Sequence, residues 1–179
     1  MSKKIGVLIM LLTAITLCVS AADSAPYMIK EAVYLCDMGI LNSYSPDAVV
    51  TKQTVINSLE MISGAYPGKY FKRSEYAKPA TVAEAAAVLA DFTGRGALVN
   101  ENNAISVAVS AGITAAGKYG ANEYVTMEAY AKMLYQTLNA KRMETEFRHG
   151  GNSYTEGSST YLRDKMKIRE ISGVVTSCS

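Results

Sequence analysis

Apolar residues recur at helical spacing in five stretches of the chain, and each stretch is bounded by residues that typically start or stop a helix. The first predicted helix spans residues 27–38, directly after a proline, and Gly39 ends it. The second follows Thr51, a good N-cap residue, and ends at Gly64.

The remaining stretches have equally clear starts. Residues Thr81 to Glu84 match a capping box, in which the threonine hydroxyl accepts from the glutamate amide and the glutamate side chain accepts from the threonine amide. A short helix rich in alanine and valine is predicted over 102–111 and stops at Gly112, and Thr126 then caps a strongly patterned helix. The pattern therefore predicts a mainly α-helical fold.

Three segments lack this pattern. Residues 65–80, AYPGKYFKRSEYAKPA, are aromatic and basic with two prolines and predict a loop. Residues 143–160 are polar and glycine-rich, which predicts a linker. Residues 161–179 alternate weakly and end in a strand-like run, so we expect the start of a β-rich region there, with a strand at 168–177.

The first 21 residues have the features of a secretory signal peptide. Lys3 and Lys4 precede an apolar run that is short for a membrane span, and small residues around Ala21 suit a cleavage site. An uncleaved anchor and a lipid-modified Cys18 are the alternatives. We expect an exported chain without a membrane span after cleavage.

Charge and cysteine content narrow the function further. The signal peptide carries two lysines and no acidic residue, so the 18 basic and 16 acidic residues of the whole chain become 16 of each. This balance argues against a nucleic-acid binder. Of the two remaining cysteines, Cys36 lies on an apolar helix face and is predicted to be a buried free thiol, while Cys178 is next to the last residue. No metal-binding spacing is present.

The segment from Gly39 to the helix after Thr51 is similar to the segment from Gly112 to the helix after Thr126. Both begin with Gly-Ile, continue as a polar loop and end in Val-Thr at a helix start, and Thr81 supplies a third capped helix. Three related units in series indicate a repeat architecture. The chain resembles the S-layer homology domain, whose repeats share a Gly-Ile loop and a helix that opens with Thr-Arg-Ala-Glu.

The resemblance implies a mainly α fold of three degenerate helix-loop-helix repeats, 27–64, 66–94 and 100–142, in a pseudo-threefold arrangement with a short C-terminal β-strand segment. Thr81, Glu84, Thr126, Gly39 and Gly112 are then structural cap residues. It also implies non-covalent anchoring at a Gram-positive cell surface through a pyruvylated secondary cell-wall polysaccharide, with self-association in a surface layer as a further expectation.

The expected polymer site follows from the same resemblance. The family arginine is replaced by Lys52, Val82 and Met127 in the three units, and only Lys52 keeps a cation. A ligand carboxylate would meet Lys52 and the amides of the helix capped by Thr51. The aromatic and basic loop offers further contacts, and the expected residues there are Lys69, Tyr70, Lys72 and Arg73.

Other readings remain open. Lys52 is alternatively a first-turn lysine without a ligand, and the loss of the family arginine favours a helical scaffold or protein-interaction module that no longer binds polymer. No serine or cysteine nucleophile has a base in the pattern, and the only histidine, His149, stands in the predicted linker. We therefore expect no enzyme, no cofactor and no metal site.

Overall fold

The structure, a computed structural model, describes residues 27–64, 70–148 and 151–160. Its described part is mainly helical and ends in a two-stranded antiparallel sheet. The predicted signal peptide, Lys69, Cys178 and the predicted β-rich segment 161–179 lie outside these residues. The elements are α1 (Lys30–Asp37), α2 (Lys52–Ser63), α3 (Val82–Ala90), α4 (Ala104–Ser110), α5 (Met127–Asn139), β1 (Lys141–Arg148) and β2 (Gly151–Thr160).

The predicted N-caps are confirmed at all three threonines. The Oγ1 atoms of Thr51, Thr81 and Thr126 accept from the amide three residues later, at 3.2, 3.2 and 3.3 Å. The capping box is complete, because the Glu84 carboxylate also accepts from the Thr81 amide at 2.9 Å. Each hydroxyl satisfies an amide that lacks a partner within its helix.

The residues directly before these threonines form a closed ring of backbone hydrogen bonds. Val50 donates to the carbonyl of Val125, Val125 donates to that of Ala80, and Ala80 donates to that of Val50, at 2.9, 3.0 and 2.9 Å. All three side chains are buried. The ring joins three helix starts that are far apart in the sequence, so the loops before α2, α3 and α5 are held by one another.

A second layer of hydrogen bonds surrounds this ring. The first two amides of α2, α3 and α5 each donate to a carbonyl in the loop that precedes another of these helices, at 2.8–3.1 Å. The bonds run from Lys52, Val82 and Met127 to the carbonyls of Lys78, Glu123 and Ala48, and from Gln53, Ala83 and Glu128 to those of Tyr76, Ala121 and Pro46. The donor and acceptor offsets from the threonine are the same in every case.

The helices α1 and α4 end in the same turn. Gly39 and Gly112 both adopt a left-handed φ, +69° and +73°, which glycine reaches without a steric penalty. The amide of the following isoleucine, Ile40 or Ile113, donates back to the last turn of its helix, at 2.8 and 2.9 Å. Both isoleucines are buried, so each turn directs the chain into the core.

The core lies where α2, α3 and α5 meet, and the shorter helices cover it: α1 packs on α5, and α4 packs on α3. Between α2 and α5 the core contains polar contacts of the fully buried Tyr130, whose hydroxyl lies 2.5 Å from the Ser58 hydroxyl and donates to the Val55 carbonyl at 3.5 Å. The largest apolar contributions come from Leu35, Ile56, Leu59, Leu89, Ile113, Leu134 and Leu138.

The C-terminal part differs from the linker predicted for residues 143–160. Strands β1 and β2 pair in antiparallel register, with Glu144 opposite Thr155. This segment is polar and glycine-rich, but Tyr154 and Thr155 favour extended backbone. Composition alone gave the wrong expectation because the pairing depends on contacts with the helical part.

Arg95 provides the main contact between the hairpin and the helices. Its side chain is 2% exposed, and the guanidinium donates to the Lys141 carbonyl at 2.8 Å, to Thr93 Oγ1 at 2.9 Å and to Glu156 Oε1 at 2.7 Å. Gly94 beside it has φ +87°, and an added Cβ would lie 2.6 Å from the Met143 carbonyl oxygen. The close approach of β1 therefore requires glycine at this position.

Cys36 also departs from its prediction. It is half-buried on α1 and takes part in a disulfide bond, so it is not a free thiol. Its partner lies outside the described residues. The apolar surroundings of the helix face suggested an inert buried thiol, and the sequence contains no local spacing that would have indicated the bond.

Candidate functional site

Lys52, the cation expected to hold a ligand carboxylate, is paired within the chain. Its Nζ lies 2.6 Å from Glu84 Oε1 and 5.1 Å from the centroid of the Phe71 ring, and the residue is 7% exposed. The charge is therefore compensated by a carboxylate from the next capped helix and by an aromatic face. A ligand at this place would have to displace Glu84.

The helix starts are also occupied. The first two amides of α2, α3 and α5 donate to loop carbonyls, and the third donates to the capping threonine. Anion binding at a helix start uses these same amides. The three starts around the backbone ring thus offer no open amide in their first three positions, and Thr51 acts as a cap.

The aromatic and basic loop contributes less than its sequence suggests. Tyr70 is half-buried and packs against the core, while Lys72 and Arg73 are exposed. Arg73 begins a single 3₁₀ turn that ends at Glu75. These residues do not line the groove described next.

A groove of about 490 Å³ lies between α1, α5 and the loop that follows α4. Glu31 of α1 lines one side, and Lys132 and Gln136 of α5 line another. The loop supplies Lys118 and Tyr119. The packing of α1 on α5 fixes two walls of the groove. At the contact between these helices the rings of Tyr34 and Tyr135 meet edge-to-face, with centroids 5.3 Å apart.

The two lysines of this groove differ in their surroundings. Lys132 pairs with Glu128 one turn earlier on α5, and the hydrogen bond that the lysine donates to this carboxylate raises the pKa of the lysine, with smaller contributions from Tyr119 and Glu31. The Nζ of Lys118 lies 5.2 Å from the centroid of Tyr119. Among the described residues, no carboxylate forms an ion pair with Lys118.

This arrangement suits a ligand with hydroxyl groups and a negative charge. The tyrosine ring offers a flat apolar face, and Gln136 offers an amide that both donates and accepts. Lys118 offers a cation without a carboxylate partner in the described part of the chain. Grooves that combine an apolar face with a few placed polar groups are typical of small-molecule and saccharide sites.

The sequence predicts the turn at Gly112, where the loop that lines the groove begins. It gives no prediction of a site at Lys118, Tyr119, Lys132 and Gln136. The sequence signal was the position of Lys118 and Tyr119 in the loop that matches the one after Gly39. Nothing in the sequence places Glu31 beside them, because that depends on the packing of α1 on α5.

Within the described residues, no helix has the length and apolar character that crossing a bilayer requires. The same residues contain no cluster of His, Cys, Asp or Glu suited to a metal ion. Comparisons of the chain with protein-family models, with curated proteins and with solved structures found no match.

Proposed function

We propose that this chain is an exported wall-anchoring domain with three repeats of the S-layer homology type, and that it binds an anionic, pyruvylated wall polysaccharide. The observation that carries the proposal is the groove between α1 and α5, where Lys118 has no carboxylate partner among the described residues and lies beside the Tyr119 ring.

The closed ring of hydrogen bonds supports the repeat assignment. Val50, Ala80 and Val125 occupy the same place before a capping threonine, and the bonds of the second layer repeat with constant offsets. The helices that end at Gly39 and Gly112 share the same turn, and this is a second similarity between the first and third units. In this proposal the second unit has lost its first helix, and the 3₁₀ turn at Arg73–Glu75 lies in that part of the chain.

The polymer contacts lie in the groove rather than at a helix start. A pyruvate ketal presents a carboxylate on a sugar ring, so a charge-assisted hydrogen bond from Lys118 and stacking on Tyr119 act on adjacent parts of one residue of the ligand. Lys132 is nearby, but Glu128 already compensates its charge.

Cell-wall sedimentation tests the proposal and separates three candidate lysines. The walls come from a Gram-positive bacterium with a pyruvylated wall polysaccharide, with a preparation lacking the pyruvyl group as control. Lys118→Ala and Tyr119→Ala should each weaken sedimentation of the mature chain by roughly one decade in affinity. Lys72→Ala, at an exposed lysine of the aromatic loop, should not.

The effect of Lys52→Ala on sedimentation must be separated from its effect on folding, because Lys52 is part of an internal ion pair. Circular dichroism and a denaturant melt must first show how much folded protein remains. If Lys52→Ala is folded and loses sedimentation while Lys118→Ala retains it, the polymer binds at the helix start predicted from the sequence. If the wild type does not sediment with either wall preparation, the chain is a scaffold, the reading that the closed helix starts favour.

A further inference from the structure

The groove between α1 and α5 adjoins a second cavity, of about 370 Å³, at the hairpin. Gly112 and Gln136 line both cavities. The second one is further lined by Ser110, Asn139, Lys141 and Glu156. The two cavities thus lie side by side and share a wall at Gly112 and Gln136.

We propose that the second cavity is a binding subsite for a neutral, hydroxyl-rich sugar residue next to the charged one, so that the protein recognises at least two consecutive residues of the polymer. This inference rests on the proposed function, because the first cavity must hold the charged residue.

The chemistry of the second cavity differs from that of the first. Its two charged side chains, Lys141 and Glu156, have opposite signs, and the remaining polar groups are a hydroxyl and two amides. Such a set donates to and accepts from sugar hydroxyls without favouring either sign of charge. In the first cavity Glu128 compensates Lys132, but Lys118 has no carboxylate partner among the described residues, which favours an anion beside Lys118.

The hairpin wall of this subsite is held in place by the buried Arg95. Glu156 accepts from the Arg95 guanidinium at 2.7 Å, and Arg95 also donates to the carbonyl of Lys141 at 2.8 Å. Arg95 therefore orients the side chain of Glu156 and the backbone of Lys141. A site on fixed elements loses less conformational entropy when a ligand binds.

Asn139 and Ser110 are the residues through which the subsite is tested. Asn139 is exposed at the end of α5 and Ser110 is exposed at the end of α4, so alanine at either position leaves the core intact. Asn139 bonds the Tyr135 carbonyl and Ser110 bonds the Val107 carbonyl, each within its own helix. Asn102, an exposed asparagine that lines neither cavity, is the matched control.

Two ligands separate the subsite from the proposed function. The short ligand is a methyl glycoside with a 4,6-pyruvate ketal, which fills the first cavity alone. The long ligand is a size-fractionated wall-polysaccharide fragment of two or more repeating units. Titration calorimetry should show that the long ligand binds the wild type roughly tenfold more tightly, as expected for one or two additional hydrogen bonds.

The double variant Asn139→Ala, Ser110→Ala should lose this gain and keep the affinity for the short ligand, whereas Asn102→Ala should change neither. If the short ligand binds but the long one gains nothing, or the double variant keeps the gain, the subsite proposal is wrong and the proposed function stands. If the wild type binds neither ligand, the proposed function itself fails and the subsite with it. If Lys118→Ala leaves both affinities unchanged, the charged residue does not bind in the first cavity and the subsite proposal is wrong.

Discussion

Lys52 and Glu84 are separated by 32 positions in the sequence, but Lys52 Nζ lies 2.6 Å from Glu84 Oε1. The contact joins the first turns of two capped helices. Glu84 has two roles, because its second carboxylate oxygen accepts from the Thr81 amide and completes the capping box. The lysine that the sequence predicts to bind a ligand thus joins two capped helices. This contact gives the first prediction.

We expect a double-mutant cycle on Lys52→Ala and Glu84→Ala to give a coupling free energy of unfolding of about 1–2 kcal/mol, because the lysine is nearly buried and the glutamate partly so. The pair Lys78–Glu75, at 3.2 Å and with an exposed lysine, is the matched control and should couple more weakly. Urea denaturation measures both cycles. Equal coupling in the two pairs would show that burial of Lys52 does not strengthen its ion pair.

The three caps should behave alike because their hydrogen bonds are equivalent. Thr51→Ala, Thr81→Ala and Thr126→Ala are each expected to lower the free energy of unfolding by about 1 kcal/mol. Serine at the same positions keeps the hydroxyl and should recover most of the loss. A urea series on the six variants tests this expectation, and a Thr81→Ala variant as stable as the wild type would contradict the capping box.

The sequence predicts the parts of this fold that depend on neighbouring residues. The cap at Thr81 is encoded within four positions, and the turn at Gly112 within a few more, so local pattern suffices for both. The ring through Val50, Ala80 and Val125 follows from the repeat only after the three units are placed together. For the same reason the sequence indicated a repeat but gave none of its hydrogen bonds.

The candidate groove and the hairpin depend on distant contacts. Arg95 is buried because it meets Lys141 and Glu156, 46 and 61 positions later. The composition of residues 143–160 contains no sign of that partner. The groove similarly requires Glu31 of the first helix beside Lys132 of the last. Hydrophobic periodicity predicts helices, but it does not determine which helix packs against which loop.

Gly94 should be the most sensitive of the glycines that end the helices. Gly94→Ala combines a left-handed φ with a Cβ placed 2.6 Å from the Met143 carbonyl, so strand β1 must move. Gly39 has a similar φ, but the space around an added Cβ is open. Gly39→Ala should therefore lower the free energy of unfolding by only about 1–2 kcal/mol, which is what a left-handed backbone costs a residue with a Cβ. Thermal melts compare the variants, and hydrogen exchange should be faster in β1 only for Gly94→Ala. Equal exchange in both would contradict the close contact.

Alkaline pH should destabilise the protein through buried tyrosines. Burial raises the pKa of Tyr130 well above its ordinary value of 10.0, and it also raises the pKa of Tyr34 and Tyr44. The unfolded chain therefore releases these protons first, so stability is fully present below pH 10 and falls as the pH rises further. Tyr130→Phe should reduce the steepness of this fall, measured by urea denaturation between about pH 8 and 11. Tyr124→Phe controls for the loss of one exposed phenol.

The disulfide of Cys36 gives a prediction about the exported protein. If cleavage occurs after Ala21 as the sequence predicts, Cys18 is removed, and within residues 22–179 the other cysteine that can pair with Cys36 is Cys178. We expect non-reducing peptide mass spectrometry of the secreted product to find the peptides of Cys36 and Cys178 linked. The Cys36→Ser variant should lose the link and about 2–4 kcal/mol of unfolding free energy, because the bond restricts the unfolded chain. Alkylation of Cys36 without prior reduction would contradict this pairing, and an intact Met1 on the secreted protein would contradict the cleavage on which it depends.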